Sequence, residues 1–247
     1  MNCFITLFKN ELKLNIRNMN MVIFSIIMPL IVLVILIFIY GTETLVEGTK
    51  YNFIEQSFGA LCTISICASG LMGLPLLISE YRERKILKHF QVTPVSPQKL
   101  LIIEFIIYVT YCVVSTLTLF LVSILFLKIK IYGSLATFLG SWILTMVSTL
   151  SIGIMVGGIA KNTKSVSVIA SILYFPALIF SGATLPFEIM PNVVQKIISY
   201  FPITQGIQLM KATFLGLPIE NIKLPIIFMV ATTLICFSIA IKFFRWE

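Results

Sequence analysis

Six apolar runs, at residues 22–40, 58–78, 101–127, 135–160, 165–185 and 224–244, constrain this chain more than any motif does. Each is close to the roughly 20 residues that a helix needs to cross the hydrocarbon core of a bilayer. Period-two alternation is absent from them, which argues against a transmembrane barrel. Only helices then satisfy every backbone hydrogen bond inside lipid. The expected fold is an all-α integral membrane protein with six transmembrane helices, a single membrane domain over residues 1–247. Composition agrees: 11% of residues are charged and the mean hydropathy is +1.03, against about a quarter charged in a soluble domain.

Lys and Arg placement sets the expected orientation. With both termini in the cytoplasm, twelve basic residues fall inside: Lys9, Lys13, Arg17, Arg82, Arg84, Lys85, Lys88, Lys99, Lys161, Lys164, Lys242 and Arg245. Six fall outside: Lys50, Lys128, Lys130, Lys196, Lys211 and Lys223. The net charge of +8 is then explained by attraction to anionic membrane lipids and by topological anchoring, and nucleic acid is not an expected partner. The polar lead of about 20 residues is long for a signal peptide, and no A-x-A-like site follows Tyr40, so the first run is expected to be retained. Within residues 1–20, Ile5, Phe8, Leu12, Ile16 and Met19 recur near helical spacing while Lys9, Lys13, Arg17 and Asn20 line another face. That pattern predicts an interfacial helix lying in the headgroup plane.

Two segments between spans stand out. Residues 79–100, SEYRERKILKHFQVTPVSPQKL, predict a short basic amphipathic helix followed by a double-proline turn. If Glu80 to Phe90 is one helix, Ile86, Leu87 and Phe90 cluster on one side with Tyr81 at their edge. Such a helix docks in a protein groove by apolar anchors, with its charges fixing register. Thr93-Pro94 and Ser96-Pro97 then impose extended or turn geometry. Residues 183–222, between the fifth and sixth spans, are too polar and broken to cross. Val194, Ile197, Ile198 and Phe201, then Ile207, Met210, Phe214 and Leu217, carry helix-like gaps in pieces shorter than a span, punctuated by Pro186, Pro191, Pro202 and Pro218. The expectation is an outer re-entrant helical hairpin, with an ordinary external cap as the plainer alternative.

Absences limit the chemistry. The chain has no Asp, one His and no G-x-x-x-x-G-K-[ST] loop, so neither a phosphate loop nor its Walker-B Asp is available. No metal cluster or paired intramembrane carboxylates are legible, and no catalytic residue, bound cofactor or metal is expected. Glu55 is expected at the outer entrance of the second span, and Glu104 near the cytoplasmic interface, either reaching headgroups or pairing with Lys99. Cys3, Cys62, Cys67, Cys112 and Cys236 lack metal spacing and read as small packing residues. Hydroxyls crowd the second to fourth spans, where bonding to their own helix or to a neighbour accounts for most of them. A hydroxyl-lined path for an amphipathic substrate is the alternative. Gly153 and Gly157 form a small-xxx-small pair that favours close helix contact.

The order of these parts resembles the permease subunit of type-2 ABC exporters, a family that includes drug, polysaccharide and nodulation-factor exporters. Glu83-Arg84, Leu87 and Thr93-Pro94-Val95-Ser96-Pro97 are similar to the family's E-x-G-T-L…TPVSP loop. Phe180-Ser181-Gly182-Ala183 with Leu185-Pro186 is similar to its F-x-S-G-x-x-x-P, and Phe201-Pro202-Ile203-Thr204 to its NPLT. Lys85 and Ile86 stand where Gly-Thr is usual, and Phe201 where Asn is usual. The resemblance implies a permease in a bacterial cytoplasmic membrane, paired with a second copy as a homodimer or heterodimer. It implies a separate ABC ATP-binding subunit that carries the ATP and Mg. Tyr81, Glu83, Arg84, Ile86, Leu87 and Phe90 would couple to that ATPase, and Phe180, Ser181, Gly182, Pro186, Phe201 and Pro202 would form an outer gate. The implied cargo is amphipathic or hydrophobic: a drug, peptide, lipid or lipid-linked glycan. A proton-coupled carrier and a non-transporting membrane scaffold or immunity protein are the alternatives.

Overall fold

The computed structural model describes residues 3–17, 19–40, 51–91, 96–179, 195, 196, 198, 201–217 and 223–244, and every regular element among them is helical. In chain order they are α1 (Cys3–Arg17), α2 (Met19–Ile39), α3 (Phe53–Glu83), α4 (Ile86–Gln91), α5 (Pro97–Leu127), α6 (Leu135–Ile159), α7 (Thr163–Ile179), α8 (Pro202–Leu215) and α9 (Lys223–Phe243). Helices α2, α3, α5, α6 and α9 are long and apolar enough to cross a membrane. The fifth expected span is described only as the 17-residue α7; residues 180–185 lie outside the described residues. At 31 residues each, α3 and α5 run about 45 Å, longer than the roughly 30 Å hydrocarbon core, so they project past it.

Local chemistry sets the ends of these helices. Before α3, the Glu55 side chain reaches back to accept the Asn52 backbone N–H at 3.0 Å, which ties down a donor at a helix start. Pro97 and Pro202 occupy first-turn positions of α5 and α8, where a missing N–H costs nothing. Gly216, at φ 67°, closes α8 in the left-handed conformation that glycine adopts without strain.

Helix α3 is the axis of the bundle: 83% of its most apolar window is buried, against 22% for α2 and 17% for α9. Its contacts fix the directions of its neighbours. Along α5, Phe58 meets Phe120 with ring centroids 5.0 Å apart and Gly73 meets Tyr108, so α3 and α5 are antiparallel. Along α6, Gly70 meets Thr149 and Gly153, and Pro75 meets Gly157, so α3 and α6 are parallel. A Cβ at Gly153 would collide with the Gly70 carbonyl oxygen, and one at Gly157 would lie 2.9 Å from the Pro75 Cα. The small-xxx-small pair therefore does what its spacing predicts, letting two backbones touch.

Most hydroxyls in these spans bond back to their own helix, as expected. Thr63 donates to the Gly59 carbonyl at 2.8 Å, Thr145 to Ser141 at 2.8 Å and Thr149 to Thr145 at 2.8 Å. Ser25 and Ser69 instead pair across helices at 3.1 Å, and each lies in a π-helical turn, Ile23–Ile27 of α2 and Ala68–Gly73 of α3.

Residues expected to form the second arm of an outer hairpin fold as α8. It is antiparallel to α6, with Gly206 beside Thr145 at one end and Phe214 against Phe138 at 5.4 Å at the other. Phe214 also stacks on Phe58 at 4.9 Å, and its carbonyl accepts the Tyr132 and Gly133 N–H groups at 3.2 and 2.9 Å. The first arm falls largely outside the described residues.

Gly153→Ala is expected to lower stability by about 1–3 kcal/mol, the usual range for an overpacked contact, read as earlier thermal unfolding in detergent. Gly140→Ala, on the same helix with nothing within 4 Å of the added carbon, is expected to leave unfolding unchanged or slightly later.

Candidate coupling site at the basic end of the bundle

The ends of α3, α6 and α9 meet where Gly158 touches Phe244 and Arg82 reaches Ala160. Lys161 and Lys164 lie beside them in sequence, and α1 joins through Glu11. Among the described residues, Lys9, Lys13, Arg82, Arg84, Lys85, Lys161 and Lys164 thus lie toward this end. Three consecutive residues in the last turn of α3 organise it. Because neighbours on a helix point about 100° apart, each fastens a different part of the bundle.

The Tyr81 hydroxyl lies within hydrogen-bond distance of Glu11 of α1 at 2.9 Å and of Glu104 of α5 at 3.0 Å. Arg82, 5% exposed, donates through Nη1 to the carbonyls of Gly157 at 2.9 Å and Ala160 at 2.8 Å. Those carbonyls sit at the C-terminus of α6, where helical partners run out and the dipole favours a cation. Glu83 accepts the backbone N–H of Thr163, the first residue of α7, at 3.2 Å, and Asn162 accepts that of Ser165 at 2.8 Å. A carboxylate at a helix N-terminus has the favourable sign. The last turn of α3 is thereby bonded to α1, α5, α6 and α7.

The structure corrects the expectation of one coupling helix from Tyr81 to Phe90. Helix α3 runs on to Glu83, the chain breaks at Arg84 and Lys85, and α4 begins at Ile86. Lys85 makes the break by adopting φ 57°, a left-handed conformation that favours glycine. This is the position at which the resembled exporters have Gly. Tyr81 points into the bundle rather than along the edge of Ile86 and Phe90, since its hydroxyl is taken by the two glutamates. Leu87 is fully buried at 0% exposure, so it anchors α4 to its own chain and offers no surface to a partner. Arg84 is exposed and pairs with Glu80 at 2.8 Å, while Ile86 and Phe90 are half-buried.

Glu104 is corrected as well. It is fully buried, and its partners are Tyr81 and Asn15, whose Nδ2 donates to Oε2 at 3.0 Å, not Lys99. Glu11 and Asn15 went unread as site residues because they interrupt the apolar row of α1; their four-residue spacing on one face was the available signal. Arg82 was read only as a topological charge. Glu55 is structural: besides Asn52 it accepts the Lys130 backbone N–H at 3.0 Å, pinning the loop between α5 and α6.

Of the expected gate, Phe180, Ser181, Gly182 and Pro186 lie outside the described residues. Phe201 is exposed and caps α8, and Pro202 opens it. Among the described residues, no group of three His, Cys, Asp or Glu side chains is arranged to hold a metal ion.

The family described as ABC-2 family transporter protein matches residues 42–242. The chain belongs to the ABC-2 transporter family. It is 30% identical over 150 residues to the inner membrane transport permease YhhJ of Escherichia coli K12, covering 60% of this chain and 40% of that protein. It is 25% identical over 176 residues to the probable multidrug ABC transporter permease YbhS of the same strain, covering 68% and 46%. It is 30% identical over 83 residues to nodulation protein J of Rhizobium leguminosarum bv. viciae, covering 34% and 32%. The matched region thus spans less than half of each of these relatives. No solved structure matches the chain.

Arg82→Ala is expected to destabilise the protein by about 2–3 kcal/mol, the scale of charge-assisted bonds lost from buried carbonyls, measured by denaturant unfolding in detergent. Lys85→Gly is expected to stabilise it by about 1 kcal/mol by relieving the left-handed lysine, in the same measurement.

Proposed function

We infer that this chain is the membrane permease of an ATP-driven ABC exporter, with six spans and both termini in the cytoplasm. The single observation that carries the reading is the last turn of α3, bonded to α1, α5, α6 and α7 at the basic end of an ABC-2 family bundle. A force applied there reaches four elements through short polar contacts, which is what a permease driven from outside its own chain requires. The positive-inside rule puts that end in the cytoplasm.

A separate ATP-binding subunit seats against the exposed surface around Arg84 and α4 and carries the ATP and Mg; two permease copies enclose the path. The half-depth helix α8, opened by Phe201 and Pro202, forms with the preceding residues the outer gate. Cargo is an amphipathic molecule such as a drug, peptide, lipid or lipid-linked glycan. The names of the relatives, a probable multidrug permease and a nodulation protein among them, support export of such molecules. Buried hydroxyls of Ser65, Ser115 and Ser148 without hydrogen-bond partners suit a path that meets polar groups on its cargo.

The test is reconstitution of the chain with a co-purified cassette ATPase in vesicles. Transport is expected only with ATP, and solute movement by the chain alone under a proton gradient overturns the reading. Arg84→Glu is expected to weaken ATPase association about tenfold, the scale of a reversed interfacial charge, with thermal unfolding of the permease unchanged.

A further inference from the structure

Glu11 and Glu104 come from separate helices, are both buried, and converge on one phenol. The Tyr81 hydroxyl lies 2.9 Å from Glu11 Oε2 and 3.0 Å from Glu104 Oε1. A phenol owns one hydrogen, so it donates to one carboxylate only. The second short contact is a hydrogen bond only if that carboxyl is protonated and donates to the phenol oxygen. Were both carboxyls ionised, one would face the phenol oxygen unpaired, beside a like charge and out of water, which is unfavourable on each count. The arrangement is fully hydrogen-bonded only when it holds one proton more than the fully ionised set.

The surroundings do not remove that requirement. Helix α1 contributes Glu11 and Asn15, and Asn15 divides its amide between Glu104 at 3.0 Å and the Glu11 carbonyl at 3.1 Å. Helix α3 contributes Tyr81, and the adjacent Glu80 is drawn to Arg84 at 2.8 Å. Helix α5 adds Tyr108 and Tyr111 one and two turns beyond Glu104. Helix α4 turns Leu87 inward and keeps Lys88 and His89 exposed.

An alternative seat for α1 is also built in. Lys9, Lys13 and Arg17 line the face opposite Glu11 and Asn15, with Ile5 and Ile16 exposed beside them. That combination binds an anionic lipid surface without help from the bundle. We propose that the Glu11–Tyr81–Glu104 bridge is a proton-dependent latch, which fastens α1 to α3 and α5 while one of the two carboxyls is protonated and frees α1 to the membrane surface when both ionise. The sign follows: the latch is closed at low pH and is lost as pH rises. It goes beyond the exporter reading and operates in the chain without an ATPase.

The experiment uses the full chain in nanodiscs with anionic lipid and a Cys3→Ser background, the cysteines at 62, 67, 112 and 236 being buried. Spin labels at Lys13→Cys and Lys161→Cys, both on exposed positions, report the distance from α1 to the α6–α7 connection. A single short distance is expected at about pH 5.5, and a second, longer population at about pH 8.5, a window bracketing a buried carboxyl. Glu104→Gln, whose amide supplies the missing hydrogen permanently, is expected to hold the short distance at both pH values. Glu11→Gln does the same from the peripheral helix without altering a span. An unchanged distance across pH in the parent chain overturns the latch, and so does a pH-dependent shift that persists in both Gln variants, which would assign it to another group such as His89.

Discussion

Backbone contact between α3 and α6 is the constraint on which the remaining architecture depends. Gly70, Gly153 and Gly157 let the two helix backbones approach closely, and the register this sets carries Arg82 to the Gly157 and Ala160 carbonyls. A helix ending near the edge of a bilayer leaves carbonyls unpaired in a region poor in water. The guanidinium removes that cost for α6, and Glu83 does the converse for the start of α7. Helix ends that would otherwise need separate caps are closed by one turn of a neighbour.

The same economy appears at the far end. Glu55 fixes both the start of α3 and the loop after α5, and the Phe214 carbonyl holds the next residues of that loop. Phe58, Phe120, Phe138 and Phe214 fill the space between, at ring separations from 4.9 to 6.4 Å. Two rigid ends, one polar and one aromatic, are joined by long helices whose hydroxyls mostly stay bonded to their own backbone.

Five of the six expected spans were legible because length and apolarity alone specify a membrane helix, and the Gly153/Gly157 contact because small residues four apart let two backbones approach. The glutamates were not. Glu104 lies close enough to Lys99 in sequence to suggest a local pair, whereas its true partners are 23 and 89 positions away, a relation that periodicity does not encode. The helix through Tyr81 to Phe90 was misread for a related reason: a lysine gives no sign that its backbone is left-handed, and Leu87 on an amphipathic face looks the same whether it meets a partner or its own chain. Family resemblance gave no sign of the inward positions of Tyr81 and Leu87.

The paired turns at Ser25 and Ser69 have a mechanical consequence. Each is a π turn, holding a residue more than the surrounding α pattern admits, a departure that occurs frequently at functional sites. Where two of them face each other, the extra residue in each turn shifts the faces of α2 and α3 from a continuous α pattern, and the Ser25–Ser69 bond fixes the two shifts against each other.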